Sequence, residues 1–122
     1  MRLTFLGKET QGGGSPTLYA TDRDTYVVQG WKVAGKPANL VEIPESLLAH
    51  LVPGTELEAA LYATGVRWHG DSGECDTYTL TGRHVTDEDT LAQVSVPDHE
   101  SCIEVGRRRK EHEGAPASRP GV

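Results

Sequence analysis

His69 and Cys75 are spaced H-x5-C, and His99 and Cys102 are spaced H-x2-C. These four side chains are the donor set of a tetrahedral zinc of the two-histidine, two-cysteine kind. The second pair has a chelating spacing, the first is loose, and no C-x2-C occurs. Read plainly, the cysteines are small residues near strand starts, reduced in the cytoplasm, and the histidines are solvated loop residues. The sequence therefore predicts no metal and no cofactor. If a metal were bound, His69, Cys75, His99 and Cys102 are the residues that would hold it.

The other reactive residue types do not assemble into a recognisable centre. The run QGGGSP at residues 11–16 is rich in glycine, but no Gly-Lys-Ser/Thr follows and Pro16 leads into a strand. A phosphate loop needs a helix start to aim its N–H groups, so this run reads as a hairpin loop. Asp87, Glu88 and Asp89 suit the start of a helix better than a catalytic pair. No G-x-S-x-G and no cysteine-nucleophile signature is present. The chain is expected not to be an enzyme.

Charge is unevenly placed. Residues 107–122 carry five Lys or Arg and two Glu, so the chain before them carries a net −9 against −6 overall. Arg107, Arg108, Arg109 and Lys110 form a basic cluster that can contact phosphates without sequence preference. A net negative body with no recognition helix argues against nucleic acid as the main partner and for a basic protein partner. Trp31 and Trp68 are the aromatic anchors available for such a contact.

The elements that must position these residues come from a repeat. DTYVVQGWKV at residues 24–33 returns as DTYTLTGRHV at residues 76–85. LYAT precedes each copy, at residues 18–21 and 61–64, and an apolar-Glu-apolar triplet follows each, at residues 41–43 and 103–105. Two residues separate LYAT from the first DTY and eleven from the second; seven and then seventeen lie before the triplets. Length varies only in the spacers, as surface loops tolerate. The pattern predicts an α+β, mostly β fold: two degenerate three-stranded β units, about six or seven strands, with one or two short helices. The units span about residues 16–43 and 57–105 of a single domain, 1–105.

Within each middle strand, Tyr26 and Val28, or Tyr78 and Leu80, share an apolar face, with mostly polar residues opposite. Tyr26 and Tyr78 are expected in equivalent buried positions. Gly30 and Gly82 suggest a bulge that turns Val33 and Val85 inward. Trp31 would follow Val33 into the core or stay outside as a contact. Residues 55–62 fit either a helix opened by Thr55 and Glu58 or a strand with Leu57, Ala59 and Leu61 on one face. The repeat favours a strand over residues 57–64. Residues 3–6 read as a first strand. Residues 44–51 read as a short helix, with Pro44 in its first turn and Pro53-Gly54 stopping it. A second helical turn falls in residues 86–93, with Thr86 as its cap. Residues 106–122 read as a disordered basic tail. No run is long enough to cross a membrane, and no signal peptide is evident, which places the protein in the cytoplasm.

Two likenesses bear on function. VEIPESLL, residues 41–48, followed by Pro53-Gly54-Thr55, resembles the strand, short helix and turn of swapped-hairpin DNA-binding proteins of the AbrB type. This segment carries Glu42, Glu45, Glu56 and Glu58 where those proteins present positive charge, so it is read as a shared structural solution. More broadly, SPTLY (15–19) and YVVQGW (26–31) resemble a group of uncharacterised small proteins of filamentous actinobacteria, often encoded near helix-turn-helix regulators. That resemblance implies a regulatory setting and carries over no catalytic residue. The expectation is a non-enzymatic protein-interaction module whose partner is a protein such as a basic transcription regulator. The alternative is a DNA-associated regulator using the basic cluster or the strand-helix-turn segment.

Overall fold

The computed structural model describes residues 1–9, 16–70 and 73–110. In chain order these form β1 (Leu3–Lys8), β2 (Thr17–Thr21), β3 (Thr25–Lys32), β4 (Leu40–Pro44), a 3-10 helix (Glu45–His50), β5 (Thr55–Glu58) and β6 (Tyr62–Gly70). There follow β7 (Gly73–Thr81), β8 (Arg83–His84), α1 (Glu88–Leu91) and β9 (Glu100–Arg109). The fold is α+β and mostly β, with nine strands among the described residues. The count exceeds six or seven because the expected strand 57–64 is interrupted after Glu58, and Gly82 separates β7 from β8. Among the described residues no helix is long and apolar enough to cross a membrane.

The repeated motifs occupy matching strands with matching registers. In the first unit Tyr19 faces Val27 and Ala20 faces Tyr26; in the second Tyr62 faces Thr79 and Ala63 faces Tyr78. The third strands are exchanged. Tyr26, Val27 and Val28 of β3 face Val105, Glu104 and Ile103 of β9. Tyr78, Thr79 and Leu80 of β7 face Ile43, Glu42 and Val41 of β4. Beyond its glycine each middle strand meets its own unit's third strand: Trp31 faces Glu42 of β4 while still facing Glu100 of β9, and Arg83 faces Glu104. The sequence β3, β4, β7 with β8, β9 and back to β3 closes a ring, which removes free edges from the centre of the sheet.

Gly30 and Gly82 serve this crossing rather than a bulge. The β3 to β9 register runs without a shift from Thr25 to Trp31. A Cβ on Gly30 would lie 2.8 Å from the Glu42 carbonyl oxygen, and one on Gly82 2.6 Å from that of Glu104. Only glycine lets the backbones approach so closely. With parity unchanged, Trp31 stays on the outer face and Val33 is only half-buried.

The ring encloses Leu18, Tyr26, Val28, Val41, Ile43, Leu57, Leu80, Ile103 and Val105, and Leu47 of the 3-10 helix closes it. Fully burying one such side chain contributes about 1.5–3 kcal/mol. A smaller cluster of Val27, Val85 and Cys102 lies outside the ring beneath Leu91, Val94 and Val96. Tyr26 is fully buried; its hydroxyl meets Thr55 Oγ1 at 2.5 Å and accepts from Val52 N–H at 2.9 Å. Tyr78 is half-buried, contrary to the expected equivalence. Beside Tyr26, β9 runs on past Val105, whereas beside Tyr78 the chain leaves β4 at Pro44.

Both helices are shorter than the sequence suggested. Pro44 ends β4 with extended backbone, has no capping side chain, and is followed by 3-10 turns, the geometry used for short connectors. Asp87 rather than Thr86 caps α1: its carboxylate accepts from Thr90 N–H at 3.1 Å. The basic segment also differs from the expectation. Gly106, Arg107, Arg108 and Arg109 are not a disordered tail but continue β9, opposite Glu58, Leu57, Glu56 and Thr55 of β5. An unpaired strand edge at β5 attracts such an addition, and opposite charges facing each other reinforce it. Residues 111–122 of the expected tail lie outside the described residues.

Candidate functional site

The four zinc candidates do not converge. His69 projects from β6 with its Nε2 3.4 Å from Glu74, and Cys75 Sγ on β7 donates to Ser46 Oγ at 3.6 Å. His99 is exposed in the connector before β9, while Cys102 is buried in the outer cluster, and both cysteines are free thiols. Burial, followed by the nearby Glu100 charge, pushes the Cys102 thiol up to about 12. Among the described residues no group of three or more His, Cys, Asp or Glu is arranged to hold a metal ion. Strand pairing separates what spacing alone had placed together.

The basic cluster is partly consumed by the fold. The Arg107 guanidinium sits 5.3 Å over the Tyr26 ring and 3.7 Å from Asp24, and Arg108 Nε donates to Glu56 at 2.6 Å. Arg109 and Lys110 remain exposed, and Arg109 borders a hollow of about 500 Å³ lined also by Asp24, Pro53, Gly54 and Thr55. Two of four cations thus already face carboxylates, which weakens any phosphate-tracking stripe.

Trp31 and Trp68 come together. Their ring centroids are 5.8 Å apart with planes tilted by 52°, an arrangement suited to indoles. Trp31 is placed just after Gly30, where β3 lies between β9 and β4, opposite Glu100 on one side and Glu42 on the other. Trp68 is placed by its pairing with Cys75 across the β6 and β7 hairpin, and its indole covers Gly70, where an added Cβ would meet the ring at 2.1 Å. Both tryptophans are half-buried, so each leaves part of its surface to solvent.

Glu42 borders this pair, and sequence reasoning missed it. It stands directly opposite Trp31 in the ladder, and its Oε2 accepts from the Thr77 hydroxyl at 2.6 Å. Thr77 also donates to the Val66 carbonyl at 3.2 Å, which ties Glu42 to the β6 side of the patch. The available signal was the repeat, in which Glu42 and Glu104 are the central residues of equivalent triplets.

Glu104 shows what the fold does with this carboxylate elsewhere. Its Oε2 accepts from Thr25 Oγ1 at 2.6 Å, the counterpart of the bond from Thr77 to Glu42. Its Oε1 takes Arg23 Nη2 at 2.7 Å, Arg83 Nε at 3.1 Å and Arg83 Nη2. Burial pushes this carboxyl up, but the bonds from Thr25, Arg83 and Arg23 outweigh burial and hold it at about 2. A third carboxylate, Glu100, is buried beneath the connector. Gln29 Nε2 donates to its Oε1 at 2.8 Å, while its Oε2 has no hydrogen-bond partner. Burial raises it from its ordinary value, opposed by the Gln29 hydrogen bond and by His99.

Comparison with protein-family models, with curated proteins and with solved structures returns no match.

Proposed function

We propose that this chain is a non-enzymatic protein-interaction module, regulatory in role, whose acidic body binds a basic protein partner such as a transcription regulator. The observation that carries the reading is the half-buried pair of Trp31 with Trp68 on the outer face, bordered by Glu42. Large rigid aromatics beside charge are the residue types that anchor protein interfaces. The net −9 of the chain before residue 107 favours a cationic partner and speeds encounter with it. The pairing of Arg107 with Asp24 and of Arg108 with Glu56 supports a protein over duplex DNA.

The test mixes the purified chain with a basic DNA-binding regulator encoded near it and follows size exclusion at low and moderate salt. Co-elution that weakens as salt rises is expected, since exposed charges are screened within about 10 Å at 0.1 M. Absence of co-elution, together with duplex DNA binding that disappears on neutralising Arg109 and Lys110, would replace this reading with the DNA-associated one.

A further inference from the structure

The two halves of the ring use one carboxylate in two ways. At Glu104, Arg83 stands opposite in the ladder and Arg23 follows the Thr21 turn, where Arg23 N–H donates to Thr21 Oγ1 at 3.0 Å. At Glu42, Trp31 takes the place of Arg83. Val66 takes the place of Arg23: its N–H donates to Thr64 Oγ1 at 3.0 Å, the counterpart of the Thr21 turn. The threonine that holds Oε2 is conserved between the halves; the two guanidiniums that satisfy Oε1 are not. Among the described residues Glu42 makes no ion pair, and its Oε1 is not among the buried oxygens left without a partner. Glu42 is half-buried and directly opposite Trp31, whose indole meets that of Trp68.

Such a site suits a planar cation. A guanidinium forms a forked bond with a carboxylate while its faces stack on aromatic rings, which an ammonium does less well. The molecule's own answer to the same carboxylate is a guanidinium in the same register. We propose that Glu42, Trp31 and Trp68 form a receptor for an arginine side chain contributed by a protein partner. The inserted guanidinium pairs with Glu42 and lies against the indoles, completing the arrangement that Arg83 completes at Glu104. This rests on the reading of the chain as a module for a basic partner and names the side chain by which that partner is held. Val66, which is exposed, stands at the position where Arg23 crosses over Glu104 and brings no charge of its own.

The chain has two tryptophans, both in the site, so intrinsic fluorescence reads the site directly. The probe is a short acetylated Gly-Arg repeat peptide without aromatic residues, compared with its twin in which citrulline replaces each arginine. The arginine peptide is expected to change the tryptophan emission saturably, and the neutral twin is not. Glu42→Gln is expected to weaken binding by at least about tenfold, the scale of one charge-assisted contact, while Glu88→Gln on α1 leaves it unchanged. Trp31→Arg copies the other half; it is expected to keep the melting temperature within a few degrees and to lose the peptide, because it supplies its own guanidinium. Should Glu42→Gln fail to fold, Trp31→Arg carries the test.

Equal binding of the citrulline twin overturns the proposal, as does an equal effect of Glu42→Gln and Glu88→Gln, which would mark diffuse charge attraction. The broader reading is judged separately. If the regulator binds the Glu42→Gln chain as well as the unaltered one, the receptor is wrong and the interaction module stands. If the arginine peptide binds at Glu42 but no protein partner does, the receptor stands and the module reading falls.

Discussion

Glu104→Gln removes the charge at the best-satisfied carboxylate in the ring. Its carboxyl is held at about 2 against an ordinary 4.5. At 1.36 kcal/mol per unit this corresponds to about 3 kcal/mol of stability. Arg23 and Arg83 are 52% and 56% exposed, although Glu104 itself is only 6% exposed. Solvent around the guanidiniums trims the value to about 2–3 kcal/mol. The sign follows from proton binding. The unfolded chain holds the proton more tightly than the folded one, so the contribution is complete above the ordinary carboxylate value. It is lost as pH falls from there toward about 2. Urea unfolding of the unaltered chain and of Glu104→Gln at pH 6, 4.5 and 3 measures the gap between them. The gap is expected to be about 2–3 kcal/mol at pH 6 and roughly halved at pH 3. A gap under about 1 kcal/mol at pH 6, or one that does not change with pH, would refute the reasoning, since a neutral hydrogen-bond acceptor would then serve as well as the anion.

Glu100→Gln should behave in the opposite sense: with its carboxyl raised by burial and Oε2 without a hydrogen bond, only 3.6 Å from His99 Nε2, the neutral variant gains stability at pH 8, and the gain fades as pH falls from the raised folded value toward the ordinary carboxylate one in thermal melts. Gly30→Ala and Gly82→Ala each place a Cβ under 3 Å from a backbone carbonyl, so either lowers stability by about 2 kcal/mol or more in urea melts, a cost that Gly35→Ala does not incur by contact because nothing lies within 4 Å of its added Cβ. Truncation after Gly106 removes the partners of Thr55, Glu56 and Leu57 and the guanidinium over Tyr26, so it is expected to lower the melting temperature by about ten degrees; an unchanged melt would return Arg107 and its neighbours to the status of a dispensable tail.

Where the sequence repeats itself, its reading carries over into the structure. The shared order of LYAT, DTY and the triplets specifies six strands and which face of each turns inward, because each alternating segment has one face that must be buried. What the repeat could not convey is which third strand pairs with which middle strand. Both triplets present the same apolar alternation, so the exchange of β4 and β9 leaves no mark in either segment alone. The glycines were legible as special, but a bulge and a close crossing both call for a residue without a side chain. The basic segment was not legible as a strand, because strand addition at an edge depends on the partner's free backbone groups, and Arg107 to Arg109 have no apolar alternation of their own. At the site, Trp31 and Trp68 were visible as large aromatics, but their meeting depends on the outer parity of β3 and on the empty side of Gly70. Glu42 escaped notice because one glutamate in a strand is ordinary. It acquires meaning only beside Glu104, when the same carboxylate is seen with its arginines and without them.

The most direct test of the account follows the two indole N–H signals of the labelled chain by proton–nitrogen correlation NMR. A basic regulator is added to one sample and generic duplex DNA to another, both at low salt. The account predicts that both indole signals shift together with the regulator, reach saturation, and stay in place with DNA. Indole signals that remain still with the regulator, while the backbone signals of Arg109 and Lys110 shift with DNA, would contradict it.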